Sequence, residues 1–235
     1  MQNLSIISFS CLYKDKMLGL LDNISRYQLP YAGRYTLFDF ILSRSVQLNA
    51  SKIHLLELIN KESLDVFIST YINIENFPEI NTIGNASNFN YYDFSNLISS
   101  DNSDYFLILN GDQPLIFDHN KVLEEINRNP QFCFFKLEDH ELHDIYGTFL
   151  LIEKKALLKK IAFLEKSTGL KDQNIFVSLF NLLQTQEDVK VILSEGFYHE
   201  LSSLTDYYYS NMKILNDLES MYDLYSKSPL GSNIQ

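Results

Sequence analysis

The sequence predicts an α/β protein with a mainly parallel sheet and helices on both faces. Residues 4–9 are apolar at both odd and even positions, as in a strand buried on both sides, and 105–109 form a second strongly apolar strand. Between them, apolar residues recur at helical spacing over 37–48, and a short buried strand at 52–57 follows. A turn, a helix and a strand in that order are typical of this fold class.

Composition and charge narrow the functional classes. The chain has 235 residues, of which 46% are hydrophobic, enough for one large domain with a buried core. Its 30 acidic and 19 basic residues give a net charge of -11, which disfavours nucleic acid and anionic membranes as partners. Two cysteines give no disulfide framework, and no stretch has the length of an apolar membrane span. We therefore expect a cytoplasmic protein without nucleic-acid or membrane partners.

The rest of the chain alternates between helical and strand-like segments. Residues 63–71 have amphipathic helical spacing, whereas 73–90 is polar with little periodicity. A helix over 118–129 has Asp118 as its predicted N-cap and Pro130 just beyond its end. The remaining patterns predict strands at 131–137 and 189–193 and helices at 154–166, 172–185 and 204–218.

Residues 29–43 carry the pattern Leu-Pro-Tyr-Ala-Gly-Arg-Tyr-Thr-Leu-Phe-Asp-Phe-Ile-Leu-Ser. This pattern resembles the sugar-nucleotide pyrophosphorylases, and within them glucose-1-phosphate adenylyltransferase, which has Pro-Phe-Gly-Gly-Arg-Tyr-Arg-Leu-Ile-Asp-Phe-x-Leu-Ser at this place. The resemblance implies a Rossmann-like, GT-A-like nucleotidyltransferase fold. It also implies that Gly33 and Arg34 are substrate-binding residues.

A second match follows the strand at 105–109, which ends in Asn-Gly-Asp. In open α/β sheets ligands bind at the carboxyl ends of the strands. The resemblance implies that Asp112 is the family's metal-binding aspartate, which holds the Mg²⁺ that bridges the substrate phosphates. The alternative is a turn that only closes the strand.

The third match begins at Gly196, in the segment Gly-Phe-Tyr-His-Glu-Leu-Ser-Ser. It resembles the family's Gly-Tyr-Trp-x-Asp-Val-Gly-Thr, so Glu200 stands where a second metal-binding aspartate is expected. Two further substrate-binding positions are implied by the same resemblance. Arg26 replaces a lysine near the substrate. Residues 145–152 resemble the family's next strand, in which Gly147 lies against the sugar, although a glycine inside a strand often marks only a bulge.

Three departures from the family argue against catalysis, and no catalytic residue is assigned. Segment 10–22 holds one glycine, Gly19, where active members wrap the nucleotide phosphates in a glycine-rich loop. The family's adenine-binding Gly-Thr-Ala is replaced at 90–97 by Asn-Tyr-Tyr-Asp-Phe-Ser-Asn-Leu, whose tyrosines either stack on a base or pack on a sheet edge. The family's Glu-Lys-Pro, which contacts the sugar phosphate, has no counterpart.

These observations leave three functional hypotheses. The chain most resembles the regulatory-type subunit of glycogen biosynthesis, which has weak or no catalysis and forms a hetero-oligomer with a catalytic adenylyltransferase subunit. The first alternative is an active enzyme that uses Mg²⁺ to make ADP-glucose and pyrophosphate from ATP and glucose 1-phosphate. The second is a sensor that binds ATP or a sugar phosphate without turnover.

The resemblance covers the nucleotidyltransferase part of the family and not its β-helix domain. We expect residues 1–218 to form a nucleotidyltransferase-like domain. Residues 219–235 look like the family's linker, and they contain no hexapeptide repeat of the kind that builds the β-helix domain.

Overall fold

A seven-stranded sheet forms the centre of the fold. The computed structural model describes residues 2–10, 25–31, 33, 35–57, 61–71, 77–84, 89–137, 147–167, 175–186, 189–199, 201 and 203–216. The strands in these ranges are β1 (Leu4–Ser10), β2 (Pro30–Tyr31), β3 (Tyr35–Thr36), β4 (Lys52–Glu57), β5 (Glu79–Ile83), β6 (Tyr105–Asn110), β7 (Leu115–Phe117), β8 (Phe132–Leu137), β9 (Thr148–Glu153), β10 (Val191–Ser194) and β11 (Gly196–Tyr198).

The helices cover both faces of this sheet. Within the described residues, one 3₁₀ turn, Arg26–Gln28, precedes the helix Leu37–Gln47. The described α-helices are α1 (Leu37–Gln47), α2 (Lys61–Ser69), α3 (Tyr91–Ser100), α4 (His119–Asn127), α5 (Lys154–Ser167), α6 (Ile175–Gln184) and α7 (Leu204–Asn216).

The order of the strands confirms a mixed, mainly parallel sheet. From edge to edge the order is β10-β8-β9-β6-β1-β4-β5. β9 runs antiparallel to both β6 and β8, whereas the other neighbours in the sheet pair in parallel. β1 lies between β4 and β6, which agrees with its prediction as a central strand. Two antiparallel pairs, β2 with β3 and β7 with β11, lie outside the main sheet.

Two apolar layers hold the helices to the sheet. One contains buried side chains from α1, α2 and α4, with the stacked rings of Phe135 and Phe149, whose centroids lie 5.0 Å apart. The other contains buried side chains from α3, α5 and α6, with Phe9 stacked on Phe176 at 4.3 Å. Burial of both faces explains why β1 and β6 are apolar at both parities.

Local sequence fixes where α1 begins. Thr36 is its N-cap, and the Asp39 carboxylate accepts hydrogen bonds from the backbone N–H of Thr36 at 2.6 Å and from its hydroxyl at 2.9 Å. This capping box satisfies N–H groups that would otherwise lack partners in the first turn. Asp39 also accepts a hydrogen bond from the Tyr71 hydroxyl at 3.0 Å, which ties the start of α1 to the end of α2.

Most predicted elements are confirmed to within a few residues, but β5, α3 and the short strands β2, β3, β7 and β11 were not predicted. Strand β5 lies inside the polar stretch 73–90, which has little periodicity, and α3 occupies most of the stretch that stands in place of the family's adenine loop. The tyrosine pair of that stretch starts α3, where Tyr91 packs against the core and Tyr92 is 68% exposed. Residues 217–235 lie outside the described ranges, so the linker-like tail stays a prediction.

Strand β10 is one edge of the sheet. Its Ser194 is buried, whereas Val191 and Leu193 are exposed. The Leu193 carbonyl accepts a hydrogen bond from Lys121 Nζ at 2.8 Å, so a lysine of α4 reaches the edge strand.

No helix in the described part of the chain combines the length and apolar character needed to cross a bilayer.

A buried polar network lies at the amino ends of the central parallel strands. His54 Nε2 donates to Asp101 Oδ2 at 2.7 Å, Ser5 Oγ donates to the same oxygen at 3.0 Å, and the backbone N–H of Ser103 donates to Asp101 Oδ1 at 2.7 Å. Burial raises the pKa of Asp101, but these hydrogen bonds outweigh burial and hold the pKa well below its usual range.

We expect Asp101→Asn to lower the free energy of unfolding at neutral pH by about 3 kcal/mol, because it leaves His54 without its charged partner. A depressed folded-state pKa adds stability above the unfolded pKa of about 4 and loses it as the pH falls further. Below that pH the wild type should therefore lose stability more steeply than the variant in urea titrations. The exposed Asp104→Asn is the control, and an equal loss there would contradict this role.

Candidate functional site

The candidate site lies at the carboxyl end of β6. The Asn110 side-chain oxygen accepts a hydrogen bond from the backbone N–H of Asp112 at 2.9 Å, which tightens the turn after the strand. The residue between them must be glycine, because a Cβ on Gly111 would lie 2.1 Å from Ser8 Oγ and 2.7 Å from a ring carbon of Tyr27. The turn is therefore held against β1 and the 3₁₀ turn.

Arg26 and Asp112 form a buried ion pair, with Arg26 4% and Asp112 1% exposed. Arg26 Nε lies 3.3 Å from Asp112 Oδ1 and donates to the Asp112 backbone carbonyl at 3.2 Å. A second guanidinium nitrogen, Nη2, donates to the carbonyl of Leu201 at 2.7 Å. The guanidinium thus joins the β6 turn to the segment between β11 and α7.

Tyr27 anchors the 3₁₀ turn that carries Arg26. Its buried hydroxyl donates to the Ser8 carbonyl at 2.9 Å and lies 3.3 Å from the Leu56 carbonyl, which are on neighbouring strands. The capping residue Ser25 accepts from the Tyr27 N–H at 3.2 Å. These contacts fix the position of Arg26 relative to the strand ends.

Three buried side chains beside this turn have polar atoms without hydrogen-bond partners among the described residues. They are Nδ2 of Asn110, both amide atoms of Gln113, and Oγ1 of Thr148. All three residues are at most 2% exposed. Extending the β6–β9 register from Ile108↔Leu150 by two residues places Asn110 directly opposite Thr148, so both lie on one face of the sheet.

Unpartnered buried polar groups are costly, and native proteins satisfy nearly all of them with protein, water or ligand. Asn110 Nδ2 offers a donor, Thr148 Oγ1 offers both a donor and an acceptor, and the Gln113 amide offers both. This set is chemically suited to hydroxyl and phosphate oxygens.

A tyrosine–histidine contact lies in the segment next to Leu201. The Tyr31 hydroxyl lies 2.7 Å from His199 Nδ1. Burial lowers the pKa of His199 to about 4, with a smaller contribution from the positive charge of Lys213, so this ring is neutral at physiological pH. Burial likewise raises the pKa of Tyr31, which keeps its hydroxyl protonated.

The structure brings together only some of the residues predicted from sequence. Arg26 and Asp112 are in contact. Gly33 has a φ of +84°, which favours glycine, and a Cβ there would lie 3.7 Å from Leu215 of α7. Gly147 immediately precedes β9 rather than lying inside it, and its carbonyl accepts from the Leu137 N–H at 3.1 Å.

Other predicted positions lie outside the described residues. These are Arg34, Glu200 and residues 11–24, which include the segment with Gly19. Their roles stay predictions. Gln113 and Thr148 were not predicted, although a polar residue directly after a buried strand is a signal that could have found Gln113.

The magnesium site stays a prediction, because Glu200, one of its two predicted ligands, lies outside the described residues. The described residues contain no group of three histidine, cysteine or acidic side chains that could hold a metal ion. Asp112 instead has the Arg26 guanidinium at its carboxylate, so its negative charge is already balanced by a buried cation. Mg²⁺ is usually bound by one or two carboxylates together with substrate phosphates.

We expect a double-mutant cycle of Arg26→Met and Asp112→Asn to show strong coupling in urea unfolding. Each single change should cost about 3 kcal/mol, because it leaves one buried charge or its hydrogen bonds unpaired. The double variant should cost about 2 kcal/mol less than the sum of the two single changes.

The Lys52–Glu79 pair is the matched control for this cycle. Its N–O distance is 2.9 Å, but Glu79 is 67% exposed, so its coupling energy should stay below about 1 kcal/mol. Equal coupling energies for the two pairs would contradict the structural importance of the buried pair.

Protonation of His199 should destabilise the fold. Its folded-state pKa of about 4 lies below the unfolded value of about 6.5, so its contribution is present above pH 6.5 and is lost as the pH falls towards 4. We expect a loss of about 2 kcal/mol over this interval, less than the full shift implies because solvent screens this half-buried ring. The His199→Gln variant should show a flatter pH dependence in urea titrations, and an unchanged slope would assign the effect to other groups.

Comparisons with known proteins identify the fold. No protein-family model matches the sequence, and no curated protein does. A solved structure of a putative glucose-1-phosphate thymidylyltransferase from Bacillus anthracis superimposes with a TM-score of 0.70 at 10% identity, covering 91% of this chain and 96% of that one. UDP-glucose pyrophosphorylase complexed with UDP-glucose gives 0.68 at 9% identity, covering 92% and 100%.

A third solved structure is the inositol-1-phosphate CTP transferase from T. maritima. Its TM-score is 0.63 at 13% identity, and the match covers 95% of this chain and 98% of that one. At such identities the likeness shows architecture and not activity. The chain has the Rossmann-like nucleotidyltransferase fold, with a mixed, mainly parallel sheet between two helical layers.

Proposed function

We propose that this protein is a nucleotidyltransferase-fold subunit that binds a nucleotide or sugar phosphate at the carboxyl end of β6 and has weak or no transfer activity. The observation that carries this proposal is the Arg26–Asp112 pair. In the family that the sequence resembles, Asp112 would hold the metal. Here a guanidinium belonging to the chain itself lies at that carboxylate.

The chemistry of phosphoryl transfer makes this pairing important. Catalysis in such reactions depends on positioning and on neutralising charge on the reacting phosphates. Arg26 is held by the Leu201 carbonyl and by the Asp112 backbone as well as by the carboxylate, so it is not free to leave Asp112 without losing several hydrogen bonds. Segment 10–22 adds to this argument, since its single glycine cannot form a glycine-rich phosphate loop.

Ligand binding is supported by a separate observation. The unpartnered atoms of Asn110, Gln113 and Thr148 lie at the strand end where open α/β sheets bind their ligands. The solved structure of UDP-glucose pyrophosphorylase with this fold contains UDP-glucose. A sugar nucleotide or one of its precursors offers hydroxyl and phosphate oxygens that match these donors and acceptors.

The proposed identities of the ligand and of the partner rest on the sequence pattern at 29–43. We propose that the ligands are ATP, glucose 1-phosphate or ADP-glucose. We further propose that the partner is a catalytic adenylyltransferase subunit of glycogen biosynthesis, whose rate or effector response this chain modulates in a hetero-oligomer. An active Mg²⁺-dependent enzyme and a partner-free sensor are the competing outcomes of the test.

The decisive experiment measures pyrophosphate release from ATP and glucose 1-phosphate by a catalytic adenylyltransferase with and without this protein. We expect the protein alone to release little or no pyrophosphate and the mixture to differ from the catalytic subunit in rate or effector response. Rapid release by the protein alone would favour the active enzyme. An unchanged mixture, with ATP or glucose 1-phosphate still bound in calorimetry, would favour the sensor.

The variant Thr148→Val should weaken ligand binding without changing the free energy of unfolding. Because Thr148 Oγ1 has no partner among the described residues, this near-isosteric change should leave the free energy of unfolding within about 0.5 kcal/mol of the wild type. It should nevertheless weaken the binding of ATP or glucose 1-phosphate by about tenfold in calorimetry. Thr185→Val, at the exposed end of α6, is the control and should change neither quantity. Unaltered affinity in Thr148→Val would remove this side chain from the site.

A further inference from the structure

A cavity of about 470 Å³ lies on the face of the sheet covered by α5 and α6. Its walls come from α5, from the end of α6, and from Gln131 and Glu153, which lie beside the start of β8 and at the end of β9. This volume is within the range of small-molecule sites. None of its residues belongs to the candidate site at the end of β6.

Three lysines of α5 give this cavity a positive charge. Lys155, Lys159 and Lys160 all line it, against one carboxylate, that of Glu153. Within the described ranges, none of these three ammonium groups forms an ion pair with a carboxylate. On a chain with a net charge of -11, such a cluster of unpaired cations is a local exception that favours an anionic ligand.

The same cavity has an apolar wall. Phe163 lies two turns after Lys155 on the same face of α5 and is 55% exposed, and Leu182 of α6 is a second apolar lining residue. An exposed phenylalanine beside lysines offers a surface on which a flat ring can stack. Polar ends are available from the amides of Gln131 and Gln186.

We propose that this cavity is a second ligand site that binds a nucleoside phosphate, with the phosphate against the lysines and the base against Phe163. The length of strand β9 separates it from the candidate site, because Glu153 at one end of the strand lines the cavity and Thr148 of the candidate site is at the other end. Five residue steps at about 3.3 Å each put the two ends roughly 17 Å apart. The site is therefore independent of the proposed function.

The chain offers a local reporter for this site, since it contains no tryptophan. Phe163→Trp places the only indole in the cavity, and excitation at the red edge of its absorption avoids the tyrosines. Titration with AMP should change the indole emission saturably. Adenosine, which lacks the phosphate, should bind at least about tenfold more weakly, as should AMP when the salt concentration is raised tenfold. Glucose 1-phosphate, which lacks a flat ring, should also bind more weakly than AMP.

Charge variants in the Phe163→Trp background complete the test. Lys155→Gln combined with Lys159→Gln should weaken AMP binding by about tenfold, whereas Lys166→Gln, on the same helix but outside the cavity, should change it less than about twofold. In a chain that keeps Phe163, the single reporter Tyr209→Trp on exposed α7 should show no change in emission when AMP is added. The proposal is overturned by an absent signal, by adenosine or glucose 1-phosphate binding as tightly as AMP, or by equal effects in the control variants. Failure of the candidate site at β6 would leave these results unaffected.

Discussion

The buried pair of Arg26 and Asp112 is the interaction on which the arrangement of segments at the carboxyl end of β6 depends. Removing two charges from water costs several kcal/mol each, and a pair offsets that cost only when further hydrogen bonds satisfy it. Here the backbone carbonyls of Asp112 and Leu201 supply those bonds. Three segments that are far apart in sequence are therefore joined at one guanidinium. Tyr27 holds that guanidinium in place, because its own hydroxyl is fixed to β1 and lies near β4.

Much of the fold could be predicted from residue periodicity, and the misses have physical causes. Central strands such as β1 and β6 have apolar residues on both faces because both faces are covered, so their pattern is visible in any short window. Strand β5 is an edge strand whose residues are exposed or half-buried, and it exists because it pairs with β4 rather than because of its own composition. Helix α3 has buried Phe94, Leu97 and Ile98 at helical spacing. This spacing indicates a helix, but comparison of the stretch with a nucleotide-binding loop favoured a loop instead.

The candidate site was predicted less completely than the fold. Asp112 could be predicted as a site residue because it directly follows an apolar strand in the sequence, and ligands bind at the carboxyl ends of such strands. Thr148 could not be found in this way, because β9 brings it to the same edge of the sheet as the end of β6 only through the antiparallel pairing of the two strands, which no local pattern contains. The lysine-lined cavity is similar, because α5 and the end of α6 meet only in the folded chain. Fold similarity at about 10% identity likewise preserves strand order while individual side chains differ.

The contact between Lys121 and the Leu193 carbonyl has a consequence for how copies of the chain meet. An uncovered outer strand presents backbone groups to which a neighbouring polypeptide can add, and exposed Val191 and Leu193 would favour such growth. The ammonium group already occupies one outward-facing carbonyl and puts a charge beside it. The Lys121 side chain of α4 therefore disfavours edge-to-edge aggregation of the sheet at β10.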